Sequence, residues 1–280
     1  MGKADLHTHT TASDGAYEPE NLLNYAREKG LETISITDHD TIKGYLSAKP
    51  VAEKLGIELL PGIENTVIWK EREIHLLAYC FDEEHSELLS LLHQQSSARR
   101  KRMEIIVDKL RKQGVDIDLD EVKAEAKTGN VGRPHAAEVL ISKGYVTSVN
   151  EAFIRYLSFD KLDEVKTEYA TIEYVISIFK DAGGVLSLAH PGPLYSGKEI
   201  EELLSLGVDG IECIHPSHPY SVQRTFTKMA SEKGLLVTGG SDFHGKGTSE
   251  YDPYFGIVTI GEQHVASLKR LAQRRIDIGN

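Results

Sequence analysis

Lys3-Ala4-Asp5-Leu6-His7-Thr8-His9 decides how the chain reads: a short run with apolar positions that closes on two histidines one residue apart. Side chains alternate across a strand, so His7 and His9 project to the same side, roughly 7 Å apart along the backbone. Two imidazoles so placed can grip one metal ion, although a pair of satisfied buried histidines explains the same spacing. Working outward, similar runs recur at Thr33 to Thr37, at Ile57 to Pro61 with Glu73 to Cys80 as a companion, and at Val185 to Ala189. Three more follow, at Gly210 to Ile214, Leu236 to Gly239 and Gly256 to Ile260. Longer stretches of helical period separate them. Pro19 stands at a first helical turn, and Gly30, Gly56, Gly207 and Gly234 stand where helices stop. Strands alternating with helices predict parallel βα units and an α/β fold, leaning toward a barrel rather than an open sheet.

One stretch breaks that rhythm. From about residue 83 to 168 only helical periodicity is found, opening with an amphipathic run through Leu88, Leu91, Leu92, Ile105, Ile106 and Leu110. The expected organisation is therefore a body of residues 1–82 and 169–280 interrupted by a helical insertion at 83–168. Within the insertion, Arg99-Arg100-Lys101-Arg102 reads as a solvated helix face, with a substrate-steering patch as the alternative.

Across 280 residues, 32 Lys and Arg stand against 43 Asp and Glu, a formal charge of −11, which argues against wrapping long duplex nucleic acid on a basic face. Small anionic substrates remain compatible if positive charge is local. Cys80 and Cys213 form no CxxC pair, which points to a reducing cytoplasm rather than a disulfide framework. The first residues carry no apolar core of a signal peptide, and no run of about 18 apolar residues occurs, so neither export nor a membrane span is expected.

Polar ligand types recur where the other strands should end: Thr37-Asp38-His39-Asp40, Pro61-Gly62-Ile63-Glu64, Ile74-His75-Leu76, Ala189-His190-Pro191 and Ser241-Asp242-Phe243-His244. In parallel βα folds the loops at the carboxyl ends of strands converge on one face, so these positions should meet. Without a cation, so many buried imidazoles and carboxylates would cost about 1 to 3 kcal/mol for each unsatisfied group. The candidates are His7, His9, His39, His75, His190 and His244 with Asp14, Glu64 and Asp242. This mixed nitrogen and oxygen set suits Zn, Mn or Fe and is poor for Ca or Mg alone. It exceeds one ion's needs; two or three divalent ions with a bridging carboxylate fit the count, and such clusters hydrolyse phosphate esters.

In order and in strand context, HTHT, TDHD, GIE, AHP and SDFH resemble the PHP (polymerase and histidinol phosphatase) superfamily over nearly the whole chain. The resemblance implies a distorted (β/α)7 TIM-like barrel carrying a trinuclear centre of Mn2+, Fe2+ or Zn2+. A first ion would be held by His7, His9, Glu64 and Asp242, a second by Glu64, His75 and His190, and a third by Asp14, His39 and His244. Asp14, where histidinol phosphatases usually show histidine, is similar to the nucleoside 3′,5′-bisphosphate phosphatase branch. Gly132-Arg133-Pro134-His135 resembles the segment by which that branch reaches substrate phosphate from an inserted subdomain, and the planar fork of an arginine suits phosphate. It implies substrate contacts from Arg133 and His135. Ser217-His218 resembles a further segment near the substrate phosphate and implies a contact from His218; His215, where an aromatic is more usual, is left outside the cluster. Asp5 and Asp38 are expected to accept the free ring N–H of ligating histidines, and His85, His93 and His264 to lie at the surface.

The expected reaction is in-line attack on a phosphomonoester by a metal-bridging hydroxide, with His218 or a metal-bound water protonating the leaving oxygen. The expected substrate is a small phosphorylated nucleotide, losing the 3′-phosphate of a nucleoside 3′,5′-bisphosphate. Rival readings are 5′-3′ exoribonuclease action on short 5′-phosphorylated RNA, a histidinol or sugar phosphatase, and a noncatalytic metal-stabilised module.

Overall fold

The computed structural model describes residues 2–158, 161–162, 167–192, 194–245 and 249–279. Strand β1 (Lys3–Thr8) is buried along its whole length after Lys3. Helix α1 (Pro19–Glu28) follows from Pro at its first turn, Glu20 early, Arg27 late and an apolar face of Leu22, Leu23 and Ala26. The chain then runs β2 (Thr33–Ile36), α2 (Lys43–Leu55), β3 (Glu58–Leu60), β4 (Gly62–Trp69) and β5 (Arg72–Tyr79). After the helices of the insertion come α7 (Ile172–Asp181), β6 (Val185–Leu188), α8 (Gly197–Ser205), β7 (Gly210–Ile214), α9 (Tyr220–Lys233), β8 (Leu236–Gly239), β9 (Ile260–Gly261) and α10 (Glu262–Gly279). Gly56 and Gly234 close α2 and α9 at φ of 66° and 67°, a left-handed turn that glycine makes without steric cost.

The strands form an α/β body of two mixed sheets, ordered β3-β2-β1-β9 and β4-β5-β6-β7-β8. Here the expectation of parallel βα units closing into a distorted (β/α)7 barrel is corrected. β4 and β5 form an antiparallel hairpin, β5 pairs antiparallel with β6, and β9 pairs antiparallel with β1 at Lys3 and Ala4. Among the described residues no closed strand ladder exists; the two sheets meet at isolated bridges, Thr8 with Phe243 and His39 with Glu64. Pro61, which has no N–H to donate to a strand ladder, lies between β3 in one sheet and β4 in the other, and the third βα unit of the expected pattern is replaced by a hairpin. The strand expected at Gly256 to Ile260 is reduced to Ile260–Gly261.

Helix α3 (Ser86–Lys112) is shared between two cores. Its first turns put Leu88, Leu91 and Leu92 into the apolar cluster behind the larger sheet. Its later turns put Met103, Ile106, Val107 and Leu110 into a separate cluster with α4 (Leu119–Ala126), α5 (Arg133–Ser142) and α6 (Val149–Ala152). Residues 159–160 and 163–166 of the expected insertion lie outside the described residues. The expected solvated face at residues 99–102 is corrected as well: Arg99 and Arg102 are buried, because positions three apart share one side of a helix and theirs faces the body. Arg99 Nε donates to Asp40 Oδ2 at 2.5 Å, while Gln95 donates to the Thr66 carbonyl and accepts from Ala170 N–H, which ties α3 to the loop after β2 and to β4.

Close packing at β8 locks the position of β1. A Cβ on Gly240 would sit 2.4 Å from His7 N and 2.6 Å from His7 Cβ. Gly240→Ala is therefore expected to cost about 1 to 3 kcal/mol by overpacking and to lower the thermal midpoint by several degrees. An unchanged midpoint in a melting experiment would mean that the two strand ends are not held this close.

Candidate metal centre

Glu64 is the third residue of β4, and its carboxylate is the point on which five imidazoles converge. His7 Nε2, His9 Nε2 and His39 Nδ1 lie 3.3, 3.3 and 3.2 Å from Oε2, and His75 Nδ1 and His190 Nε2 lie 2.9 Å from Oε1. Period-two geometry puts His7 and His9 on one face of β1, as the spacing predicts, and β5 presents His75 two residues from the Glu64 register partner Leu77. Asp242 forms the second hub: its Oδ1 is 3.4 Å from His7 Nε2 and 3.2 Å from His9 Nε2. Asp14 forms the third, with His39 Nε2 at 3.8 Å and His244 Nε2 at 3.5 Å. His190 and Asp242 hold positive φ angles of 28° and 53°, conformations that non-glycine residues rarely adopt and that concentrate at functional sites.

All nine expected ligands are thus brought together, and their atoms group as a metal site requires. His9, Asp14, His39 and His244 offer ligand atoms within 4.8 Å of one another, as do His7, Glu64 and His190; His7, His9 and Asp242; and His39, Glu64 and His75. His7 Nε2, both ring nitrogens of His9, Asp14 Oδ1, His39 Nδ1 and His75 Nδ1 are buried without a hydrogen bond among the described residues. Orphaned buried donors and acceptors facing common points are what divalent ions would satisfy, so the residues fit the metals that the sequence implies.

The electrostatics agree. Burial pushes the Glu64 carboxyl up, but the imidazoles of His39, His75 and His7 outweigh it and hold the group well below the usual carboxylate range. For His9, burial opposes the charge, yet Asp242 and Glu64 raise the ring to about 10. His39 is pushed well below its ordinary value by burial, against the pull of Glu64 and Asp14.

A cleft of two adjoining chambers, about 690 and 500 Å3, opens on the centre. Glu73, His75, Arg102 and Arg133 line both chambers, and Asp14, His39, Asp242 and His244 floor the smaller. Arg133, at the start of α5, donates to the Leu157 carbonyl at 3.2 Å and stacks over Phe153. Burial, reinforced by the neighbouring Arg102, lowers its guanidinium to about 10. Arg102 pairs with Glu73 at 2.9 Å and escapes a sequence reading as a site residue because its charge run looks like any exposed helix face.

Other expectations need correction. His135 is not among the described residues that line the cleft; its Nδ1 accepts the Gly132 N–H at 2.9 Å and caps its own helix. His218 has both ring nitrogens engaged, Nδ1 donating to the Cys213 carbonyl at 3.1 Å and Nε2 accepting from Gly192 N–H at 3.0 Å. That tautomer leaves no proton on Nε2 to give to a leaving group. Among the described residues Asp5 and Asp38 accept no ring N–H. Asp5 takes backbone N–H groups of His7 and Ser241, and Asp38 takes Thr10 and Ser13, because both carboxylates point back into the loops that carry the ligands. Burial pushes the Asp5 carboxyl up to about 7. His215, left out of the cluster, is in it: buried, with Nε2 3.4 Å from Asp242 Oδ2. Glu212, not singled out by the sequence, accepts His7 Nδ1–H at 3.0 Å, the role assigned to the two aspartates.

The family model for the PHP domain matches residues 5–181. A 5′-3′ exoribonuclease of Haemophilus influenzae is 37% identical over 247 residues, covering 86% of this chain and 90% of that protein. A 3′,5′-nucleoside bisphosphate phosphatase of Chromobacterium violaceum is 29% identical over 258 residues, covering 90% of each. Among solved structures, a Bifidobacterium adolescentis protein assigned as a metal-dependent phosphoesterase superposes with a TM-score of 0.87 at 31% identity, covering 96% of both chains. With the domain model spanning more than half its length and relatives matched almost end to end, the chain belongs to the PHP domain family.

Proposed function

We propose that this metal-dependent phosphoesterase removes the 3′-phosphate of nucleoside 3′,5′-bisphosphates. The observation that carries the reading is the pair of guanidiniums, Arg102 and Arg133, on the cleft wall beside His75, where a second phosphate can be held while the first meets the centre. Three divalent ions, of the Mn2+, Fe2+ or Zn2+ class, would be held by His7, His9, Glu64 and Asp242, by Glu64, His75 and His190, and by Asp14, His39 and His244. Bound there, such ions polarise phosphoryl oxygens and lower the pKa of water. The chain's own residues do the rest. Glu64 and Asp242 hold the rings of His7 and His9 in register, and Arg133 clamps the non-reacting phosphate.

A second reading, 5′-3′ trimming of short 5′-phosphorylated RNA, is favoured by the cleft's two chambers, since each alone reaches the roughly 300 to 1,000 Å3 of a small-molecule site. We place the stretch 83–168 as a subdomain serving the substrate, because Arg102 and Arg133 both come from it. The cytoplasm suits the two free thiols, Cys80 and Cys213; no helix among the described residues is long and apolar enough to cross a membrane.

The test is manganese-dependent phosphate release from adenosine 3′,5′-bisphosphate, with histidinol phosphate and a 5′-phosphorylated oligoribonucleotide in parallel and a chelator as control. Selective chelator-sensitive release from the bisphosphate is expected; release from histidinol phosphate alone overturns the substrate. Arg133→Ala is expected to raise KM for the bisphosphate about tenfold with a smaller change in kcat, the signature of binding shared by ground and transition states. An unchanged KM would send phosphate recognition elsewhere.

A further inference from the structure

Glu212 lies on β7 inside the apolar sequence Gly210-Ile211-Glu212-Cys213-Ile214 and is completely buried. A lone carboxylate in a buried strand needs partners, and this one has two of different kinds. Oε1 accepts the Nδ1–H of His7 at 3.0 Å, and Oε2 accepts the backbone N–H of His190 at 2.7 Å. The first bond fixes which ring nitrogen of His7 carries the proton. With Nδ1–H committed to Glu212, Nε2 is the ring atom that faces Glu64 and Asp242 and the one left to give up its proton to an ion. The second bond holds the backbone of His190, whose φ of 28° puts its ring beside Glu64 Oε1.

We propose that Glu212 is a positioning residue for the metal centre, one carboxylate that sets the ring tautomer of His7 and the backbone conformation of His190. Its alternative role is that of a ligand, since His7, Glu212 and His215 offer polar atoms within 4.8 Å of one another. The hydrogen bonds decide against it. Both Glu212 oxygens already accept from N–H donors, and His215 Nδ1 accepts from Ser217 N–H, which leaves the proton on Nε2, facing Asp242. The inference rests on the metal reading of the centre.

Glu212→Gln separates the two functions, because the amide keeps an oxygen for His190 N–H and turns a donor toward His7 Nδ1. Calorimetric titration of Mn2+ into the metal-free full-length protein gives affinity and stoichiometry for wild type and variant, with circular dichroism to confirm the fold. The expected result is affinity weakened about 10- to 100-fold with unchanged stoichiometry, the range seen when the partner of a ligating histidine is lost. Unchanged affinity overturns the proposal, and so does loss of one ion, which makes Glu212 a ligand. If wild type itself takes up no Mn2+, the metal reading has failed and the inference falls with it. A second measurement does not depend on the variant folding: 15N spectra of histidine-labelled, zinc-loaded wild type should show His7 protonated at Nδ1. A His7 ring protonated at Nε2 overturns the assignment.

Discussion

Replacing Glu64 by alanine is expected to abolish chelator-sensitive phosphate release and to weaken manganese binding by at least about 100-fold, beyond the loss typical of a residue that only supports a ligand. The size follows from its position. Five imidazoles lie within 3.3 Å of its two oxygens, three on one and two on the other, so a single side chain joins what would otherwise be two half-sites. Asp14→Ala should do less, because Asp14 joins only His9, His39 and His244. In the metal-free protein the change also strips buried rings of their shared counter-charge, so the variant should melt below wild type with metal absent and gain less from adding it. Phosphate release, Mn2+ titration and melting curves with and without metal, on the same preparation, check all three parts. More than a tenth of wild-type activity in a folded Glu64→Ala protein would sink the assignment of Glu64 as the shared ligand.

Much of this centre is legible in the amino-acid sequence, because polar residues at strand ends interrupt otherwise apolar runs. His7, His39, His190 and Asp242 each follow a buried stretch of the body. What stays hidden does so for physical reasons. β4 escapes because Glu64, Asn65 and Thr66 break its apolar pattern, yet all three are buried, paired or poised for the centre rather than solvated. Its antiparallel partnership with β5 is not readable from alternation, which is the same for both pairing directions, and so the barrel expectation goes too far. Arg99 and Arg102 carry the charge of a surface and the burial of a core; only the three-residue spacing on a helix whose other face packs on the body could mark them. Glu212 has a signal, a single carboxylate in a strand of apolar neighbours. Asp5 and Asp38 attract the role instead because adjacency in sequence to a ligand is not adjacency to its ring.

Metal binding should release protons and tighten as pH rises. In the metal-free protein Asp242 and Glu64 raise His9, against the opposing pull of burial, to about 10 from an ordinary 6.5. His7 is raised well above that value, held by Glu212 and Asp242 against burial, and His190 and His244 are raised too. Near neutral pH the cluster therefore keeps its charge balance with protons on imidazoles. A divalent ion needs the neutral ring, so each such histidine that binds it must give up a proton. Between about pH 6.5 and 10 the affinity should climb about tenfold per pH unit for each proton displaced. The sign for stability follows. Histidines raised on folding contribute stability that is full below 6.5 and is lost as pH rises through about 10. Carboxylates lowered on folding, Glu64, Asp14 and Asp242, contribute above the usual carboxylate range and lose it as pH falls through their depressed values. Buried Asp5, raised to about 7, adds a separate loss at lower pH, since its contribution fades as pH rises from 3.8 through about 7 and changes little beyond it. The metal-free protein should thus weaken toward alkaline pH while the loaded one holds, and the gap between their melting midpoints should widen from pH 6 to 9. Calorimetry in buffers of different ionisation enthalpy counts the protons directly. A constant gap with no proton release would mean that the imidazoles are already neutral and that the carboxylate hubs do not set the state of the centre.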